Sequence, residues 1–344
     1  MKLAIFLWLV LAGTSYSFPQ NTRLGYINCK SCHISPSGGG ALSGYGKSTA
    51  GELSTIALES EFKKSAFISG GDIRYLWTKS ETPEIEYEDR FLMQADAELG
   101  FQYKNLTLVA QYGQYKSYPQ NKEASYKHYM MYYIEKANLT LRAGKFTPAF
   151  GINSDDHTLP GRNSLRLGSR DASYNLELVA ASKYIVVTPT LIMGCQGGYT
   201  DAERMDYCDN GETGAINHIA FQPYKYLYLS GSVGVLQKEG ETRYLNAIGW
   251  VIGNKYFYSI GEYANQKIAT MDHGDDEGFK DQGWIDLVGS YKGFDLGFTH
   301  RKYLDRDENG IKMRWLPISG LELTVTYLEH DDVKKVVSVA HVYF

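Results

Sequence analysis

FLMQADAELGFQY (Phe91–Tyr103) alternates with a period of two. Phe91, Met93, Ala95, Ala97, Leu99, Phe101 and Tyr103 share one face. Gln94, Asp96, Glu98, Gly100 and Gln102 share the other. That period is the signature of a pleated strand, whose successive side chains point to opposite sides. Phe294, Leu296 and Phe298 alternate in the same way with Asp295, Gly297 and Thr299. So do Leu321, Leu323, Val325 and Tyr327 with Glu322, Thr324 and Thr326. From residue 67 onward the chain reads as about sixteen such strands. They are expected at 67–78, 89–103, 105–116, 127–135, 138–146, 173–182, 184–195, 213–222, 225–237, 242–252, 255–265, 282–291, 294–302, 310–316, 320–329 and 333–344.

Soluble sandwiches also alternate, so the connections decide. Tight turns are expected at Lys104, Lys136-Ala137, Lys183, Pro223-Tyr224, Gly253-Asn254, Lys292-Gly293 and Pro317-Ile318-Ser319. Between them come longer, more polar connections: 79–88, 117–126, 147–172, 196–212 and 266–281. Short turns at one end, long loops at the other and an even strand number describe a transmembrane antiparallel β-barrel. Nine to eleven residues per tilted strand also match a bilayer. No helix of eighteen apolar residues is present, so a closed barrel is the membrane-spanning option open to this chain. The 28 Tyr and the 35 Gly against 9 Pro suit a β-rich chain with amphipathic rings at polar–apolar boundaries. A formal charge of −4 over 344 residues excludes a nucleic-acid binder, which needs a basic excess.

Residues 1–17 read as a signal peptide. Lys2 supplies the positive end, Leu3–Leu11 is apolar but too short to span, and Ser15 and Ser17 precede Phe18. The mature chain therefore meets an oxidising compartment. The expected division is signal peptide 1–17, a haem-bearing plug segment 18–66, and a barrel 67–344.

Four cysteines form two pairs. Cys195 and Cys208 flank a polar, Gly-containing stretch and read as a disulfide, worth about 3 kcal/mol at that loop length. Cys29, Cys32 and His33 form C-x-x-C-H, in which two thiols on one turn can add to the haem vinyl groups and the histidine ligates iron. A redox-active disulfide would need a βαβ context, and a zinc site would need a further ligand nearby. One covalent haem c is therefore expected. The segment of about 49 residues has neither the bulk to bury a macrocycle nor a Met or second His for the sixth position. Burial must come from the barrel lumen, and the glycines of Ser35–Gly46 let backbone run close to its wall. His128, Met93 and Met193 are the strand-borne candidates for a distal ligand. The run from Lys47 to Lys64 reads as a short helix or a solvated linker.

The longest connection, 147–172, brings Asp155, Asp156, His157, Arg162, Arg166 and Arg170. Folded inward it would make a charge-selecting pore eyelet; left outside it is a loop of balanced charge. His157 beside two aspartates would also suit a hard metal ion.

The C-terminal strand VVSVAHVYF, ending at Phe344, resembles the signature by which outer-membrane barrels are recognised for insertion. GKFTPAFGI (144–152) resembles a strand end of solute-specific porins. Cys29, Cys32, His33, Ser35, Pro36, Gly38, Gly39, Gly40, Tyr45 and Gly46, followed by a complete barrel, resemble the fused outer-membrane cytochrome–porin family. The resemblance implies iron oxidation or extracellular electron transfer at the outer membrane of a Gram-negative-type bacterium. One haem cannot bridge a bilayer core of about 30 Å, so the redox partner must come to it. The implied partners are external Fe(II) or another small redox species, a periplasmic c-type cytochrome, and membrane lipid. Asp96, Glu98, Asp286, Asp295 and Glu322 are expected on the inner face, where they would draw cations inward. The reading from another class is a solute-diffusion porin whose haem segment is a plug or redox sensor.

Overall fold

The computed structural model describes residues 19–24, 29, 32–36, 40–43, 45, 46, 49, 54–56, 66–117, 121–154, 159–161, 165–167, 171–194, 211–238, 240–270, 278–303 and 306–343. Sixteen strands close an antiparallel barrel in sequential order, with β1 pairing β16. They are β1 (Phe67–Glu81), β2 (Glu86–Tyr103), β3 (Leu106–Ser117), β4 (Asn121–Ile134), β5 (Leu139–Phe146), β6 (Ser173–Ala181), β7 (Ile185–Met193) and β8 (Thr213–Tyr224). The second half comprises β9 (Leu227–Lys238), β10 (Glu241–Gly253), β11 (Phe257–Thr270), β12 (Lys280–Tyr291), β13 (Phe294–Lys302), β14 (Asp307–Trp315), β15 (Leu321–His330) and β16 (Val333–Tyr343). Every strand expected from the periodicity is present. Among the described residues no helix is long and apolar enough to cross a membrane.

The apolar face points outward. Leu99, Leu108, Ile248, Leu287, Leu296 and Ile311 are exposed, whereas Gln94, Asp96, Glu98, Thr107, Asp286 and Asp295 are buried inside. A soluble sandwich would have the reverse polarity; an outer apolar band is what lipid requires.

Three details depart from the sequence reading. Phe91 and Met93 do not share the face of Ala95. Arg74 lies opposite Gln94 but Tyr75 opposite Leu92, so Met93 is the extra residue of a bulge and the parity flips there. The connections 79–88 and 117–126 are mostly strand: β1 runs to Glu81, β2 starts at Glu86, β3 ends at Ser117 and β4 starts at Asn121. Antiparallel pairing continues through these polar flanks, helped by cross-strand pairs such as Lys79–Glu86 at 2.7 Å. The two rims therefore differ less in connection length than expected, and 147–172 and 194–212 carry most of the difference. Finally, the β6–β7 ladder breaks around Pro189, which has no N–H to donate.

The signal peptide, Cys195, Cys208 and Phe344 lie outside the described residues, as does most of 47–64.

Candidate functional site

The N-terminal segment enters and leaves the barrel at the short-turn end. A 3-10 helix, Pro19–Leu24, holds the entry. Arg23 donates from Nε to the Asn254 carbonyl (3.2 Å) and from Nη2 to Ser290 Oγ (3.3 Å), and lies 4.2 Å over the Tyr258 ring. Gln222 Nε2 donates to the Thr22 carbonyl at 2.5 Å. At the exit, the Thr55 and Ile56 amides donate to the carbonyls of Leu316 (2.9 Å) and Pro317 (3.0 Å). Both anchors use turns of the same rim, and the described residues between them pack against the inner wall of the lumen.

The C-x-x-C-H motif sits on that excursion. The amides of Cys32 (3.1 Å) and His33 (2.8 Å) both donate to the Cys29 carbonyl, which is one helical turn. Cys32 and His33 are 3% and 4% exposed. The chain then doubles back: Ile34 N–H bonds the Ala41 carbonyl (3.0 Å) and Ser43 N–H the Cys32 carbonyl (2.8 Å). Ile34 and Ala41 pack with Val109, Tyr129, Met131 and Phe146 of the inner wall.

Polar contacts from the wall hold this hairpin. The Ala41 amide donates to Glu98 Oε1 at 2.8 Å. Arg142 Nη1 donates to Ser35 Oγ at 3.0 Å, while Nη2 pairs with Glu177 at 2.7 Å. Two glycines stand where a Cβ would not fit, Gly40 against the barrel wall and Gly46 against the segment's own backbone. Gly40 has φ +67°, and a Cβ there would lie 2.4 Å from Glu98 Oε2. A Cβ on Gly46 would lie 2.1 Å from the Cys32 carbonyl oxygen.

These residues fit a covalent haem. Neither Cys29 nor Cys32 is in a disulfide, and both stand on one turn with His33. Apolar wall lies near them: Tyr228, which interacts electrostatically with Cys29, packs with Val179, Val186 and Ala220. Burial, reinforced by the neighbouring Cys32, pushes the Cys29 thiol up to about 11. A redox-active Cys-x-x-Cys needs a lowered thiol pKa, so the environment opposes that reading.

Among the distal candidates, His128 faces outward on β4, with Nε2 3.1 Å from the Tyr174 hydroxyl, and Met193 is 63% exposed on the outer face. Strand parity removes both from the lumen. Met131, one full alternation beyond Tyr129, is the β4 methionine that faces inward.

The described residues of the connection 147–172 fold into the barrel. Phe150, Leu165 and Leu167 pack on Ile192, Ile216, Leu236, Leu245, Ala247 and Ala264. Ile152 and Leu159 pack on Val251, Ile260, Trp284 and Val288. Glu262 fastens it, accepting the Ile152 N–H at 2.5 Å. Gly151 (φ +55°) and Gly161 (φ +101°) lie against the same carboxylate, where any Cβ would collide. Arg243 Nη1 donates to the Leu165 carbonyl at 3.1 Å. Of the expected eyelet, Arg166 is described and is exposed, with φ +53°. Asp155, Asp156, His157, Arg162 and Arg170 lie outside the described residues. Among the described residues no cluster of His, Cys, Asp or Glu is arranged to hold a metal ion.

The inward carboxylates are all engaged by neighbouring groups. Asp295 accepts Arg314 Nη2 at 2.6 Å and the Tyr258 hydroxyl at 2.9 Å. Asp286 pairs with Lys312 at 3.3 Å, and Glu322 with His341 at 3.2 Å. Glu98 is used by the Ala41 amide, and Asp96 by Gln94 at 2.6 Å.

The fold is that of the outer-membrane porins. OmpTΔL8, a loop-deletion mutant of an outer membrane protein of Vibrio cholerae, superposes with a TM-score of 0.56 at 9% identity, covering 81% of this chain and 100% of that one. The outer membrane channel DcaP of Acinetobacter baumannii gives 0.55 at 10% identity, over 83% and 100%. An anion-selective porin from Comamonas acidovorans gives 0.56 at 8% identity, over 82% and 100%. No family model and no curated protein matches the sequence.

Proposed function

We propose that this chain is a porin-type outer-membrane protein with a haem-bearing segment lodged in its lumen. The observation that carries the proposal is the enclosed turn on which Cys29, Cys32 and His33 stand together inside a closed barrel. Cys29 and Cys32 would anchor the haem through thioethers and His33 would ligate its iron. Glu98, Arg142 and Ser35 hold the hairpin that carries them, and Arg23 and Thr55 tie its ends to the rim. When bound, haem c supplies a one-electron centre that can exchange electrons with a small external species, Fe(II) favoured, and with a periplasmic c-type cytochrome.

The likeness to channel-forming barrels supports a second use of the same parts, diffusion of small solutes past the plug. One series of measurements separates the two. Purified protein, denatured and stained for haem peroxidase activity, should carry covalent haem. Absence of stain sinks the haem reading and leaves the channel. Rapid mixing with Fe(II) should reduce a functional centre. Haem that stays oxidised in protein that makes liposomes permeable to sugars would assign diffusion. Cys29→Ala should lose the stain and keep the folded barrel.

A further inference from the structure

The tight connections of the short-turn rim carry a pattern that neither use explains. Six of the seven contain one lysine each: Lys104, Lys136, Lys183, Lys225, Lys255 and Lys292. Glu135 is their one carboxylate. The opposite rim is acidic by sequence, as in 271–279 with Asp272, Asp275, Asp276 and Glu277. A chain of net charge −4 thus carries net positive charge in the turns at one end of its barrel.

Five of these lysines lie over the ring of an adjacent tyrosine. The ammonium-to-centroid distances are 5.4 Å for Lys104 on Tyr103, 5.0 Å for Lys183 on Tyr184 and 4.6 Å for Lys225 on Tyr226. They are 4.7 Å for Lys255 on Tyr256 and 5.4 Å for Lys292 on Tyr291. All five tyrosines are exposed, from 46% to 64%. Tyr103 and Tyr291 end β2 and β12 on the outward, lipid-facing side. The pairs stand on five of the six hairpins from β2–β3 to β12–β13, every one but β4–β5, round the outer perimeter. The hairpin without a lysine, β14–β15, is the one covered by Thr55 and Ile56.

A tyrosine ring at headgroup depth beneath an ammonium that reaches toward water is the arrangement a bilayer interface favours. Lysines at such a surface attract anionic lipid. A perimeter arc suits a lipid annulus, whereas a single docking protein would need its contacts gathered on one face. We propose that this collar binds the phosphate groups of anionic phospholipids in the leaflet at the short-turn end.

The test uses the full mature chain in vesicles of phosphatidylethanolamine containing a minor fraction of phosphatidylglycerol. The protein is extracted in mild detergent and the retained lipids are counted by mass spectrometry. Phosphatidylglycerol should be enriched several-fold over bulk. The combined Lys104→Gln, Lys183→Gln, Lys225→Gln, Lys255→Gln and Lys292→Gln variant should retain it at the bulk ratio, and the five-fold arginine variant should keep the enrichment. Equal enrichment in wild type and glutamine variant would overturn the proposal. Should the glutamine variant not fold, salt decides with wild type alone, since the enrichment must fall steeply as salt rises. Enrichment indifferent to salt overturns it. So does wild type that takes no excess phosphatidylglycerol but binds soluble polyglutamate through these lysines.

Discussion

The two sides of the lumen are built on different physics. On β7–β12 the inner face is largely apolar, with Ile192, Ile216, Leu236, Leu245, Val251, Ile260 and Trp284, and the inward connection covers it. On β13–β16 and β1 the inner face is a ladder of charges, Arg314–Asp295, His341–Glu322 and Arg74–Asp72, joined at the boundary by Lys312 of β14 to Asp286 of β12. An apolar wall binds whatever apolar surface is laid on it, loosely specified and locally releasable. A charged wall closes on itself, because each unpartnered charge in a restricted lumen carries a desolvation cost. The difference teaches that this lumen is partly core and partly pore lining, and that the two parts should fail differently.

The largest effect is expected on the charged side. Arg314→Met removes the partner of buried Asp295, and breaking such a pair costs about 3–5 kcal/mol. Urea unfolding of the barrel in detergent should show that loss. Adding Asp295→Leu should restore most of it, since no charge is then left alone. A double variant as unstable as the single one would remove the pairing argument.

On the apolar side Phe150→Ala should cost about 3 kcal/mol, but locally. Single-channel conductance should rise and proteolysis within 147–172 should increase, while the barrel's unfolding midpoint stays put. A lowered midpoint without a conductance change would mean that the connection is part of the barrel's global stability.

The sequence made the barrel legible because strand parity and tight turns are local. It misled where parity breaks. The bulge at Met93 and the strand flanks at 79–81 and 86–88 obey pairing across the barrel, which no local window contains. At the site, C-x-x-C-H named the chemistry, yet its supports Glu98 and Arg142 lie 57 and 107 residues beyond the groups they bind. Only closure brings them together. Another local signal lies on β10. The stretch Leu245–Ile252, LNAIGWVI, is apolar on both faces, which marks a strand covered on both sides. It foretold a lumen wall with something packed on it.

A smaller effect tests the fastening of that covering piece. Glu262→Gln keeps an oxygen to accept the Ile152 amide and loses the charge, so about 1 kcal/mol is expected. Conductance should shift in the direction of Phe150→Ala by a smaller step. A change as large as that of Phe150→Ala would show that the carboxylate, rather than the apolar surface, holds the connection in.

The last effect is pH-dependent and concerns how firmly the haem-free segment is seated between the two walls. Burial raises the Cys29 thiol from 9.0 to about 11. The unfolded thiol ionises first as pH rises, so between those values the unfolded segment has lost a proton that the seated one retains. Seating is therefore fully supported below pH 9 and weakens as pH climbs to 11, by about 1.4 kcal/mol per unit. Only the thiolate reacts with iodoacetamide. In haem-free Cys32→Ser protein, where burial alone raises the thiol, alkylation of Cys29 should accelerate with a midpoint above pH 9 when folded and at about pH 9 in urea. A folded midpoint near pH 9 would place Cys29 in water, outside the shelter of Tyr228 and the apolar wall, and the segment would then be a tether at the rim instead of a plug in the lumen.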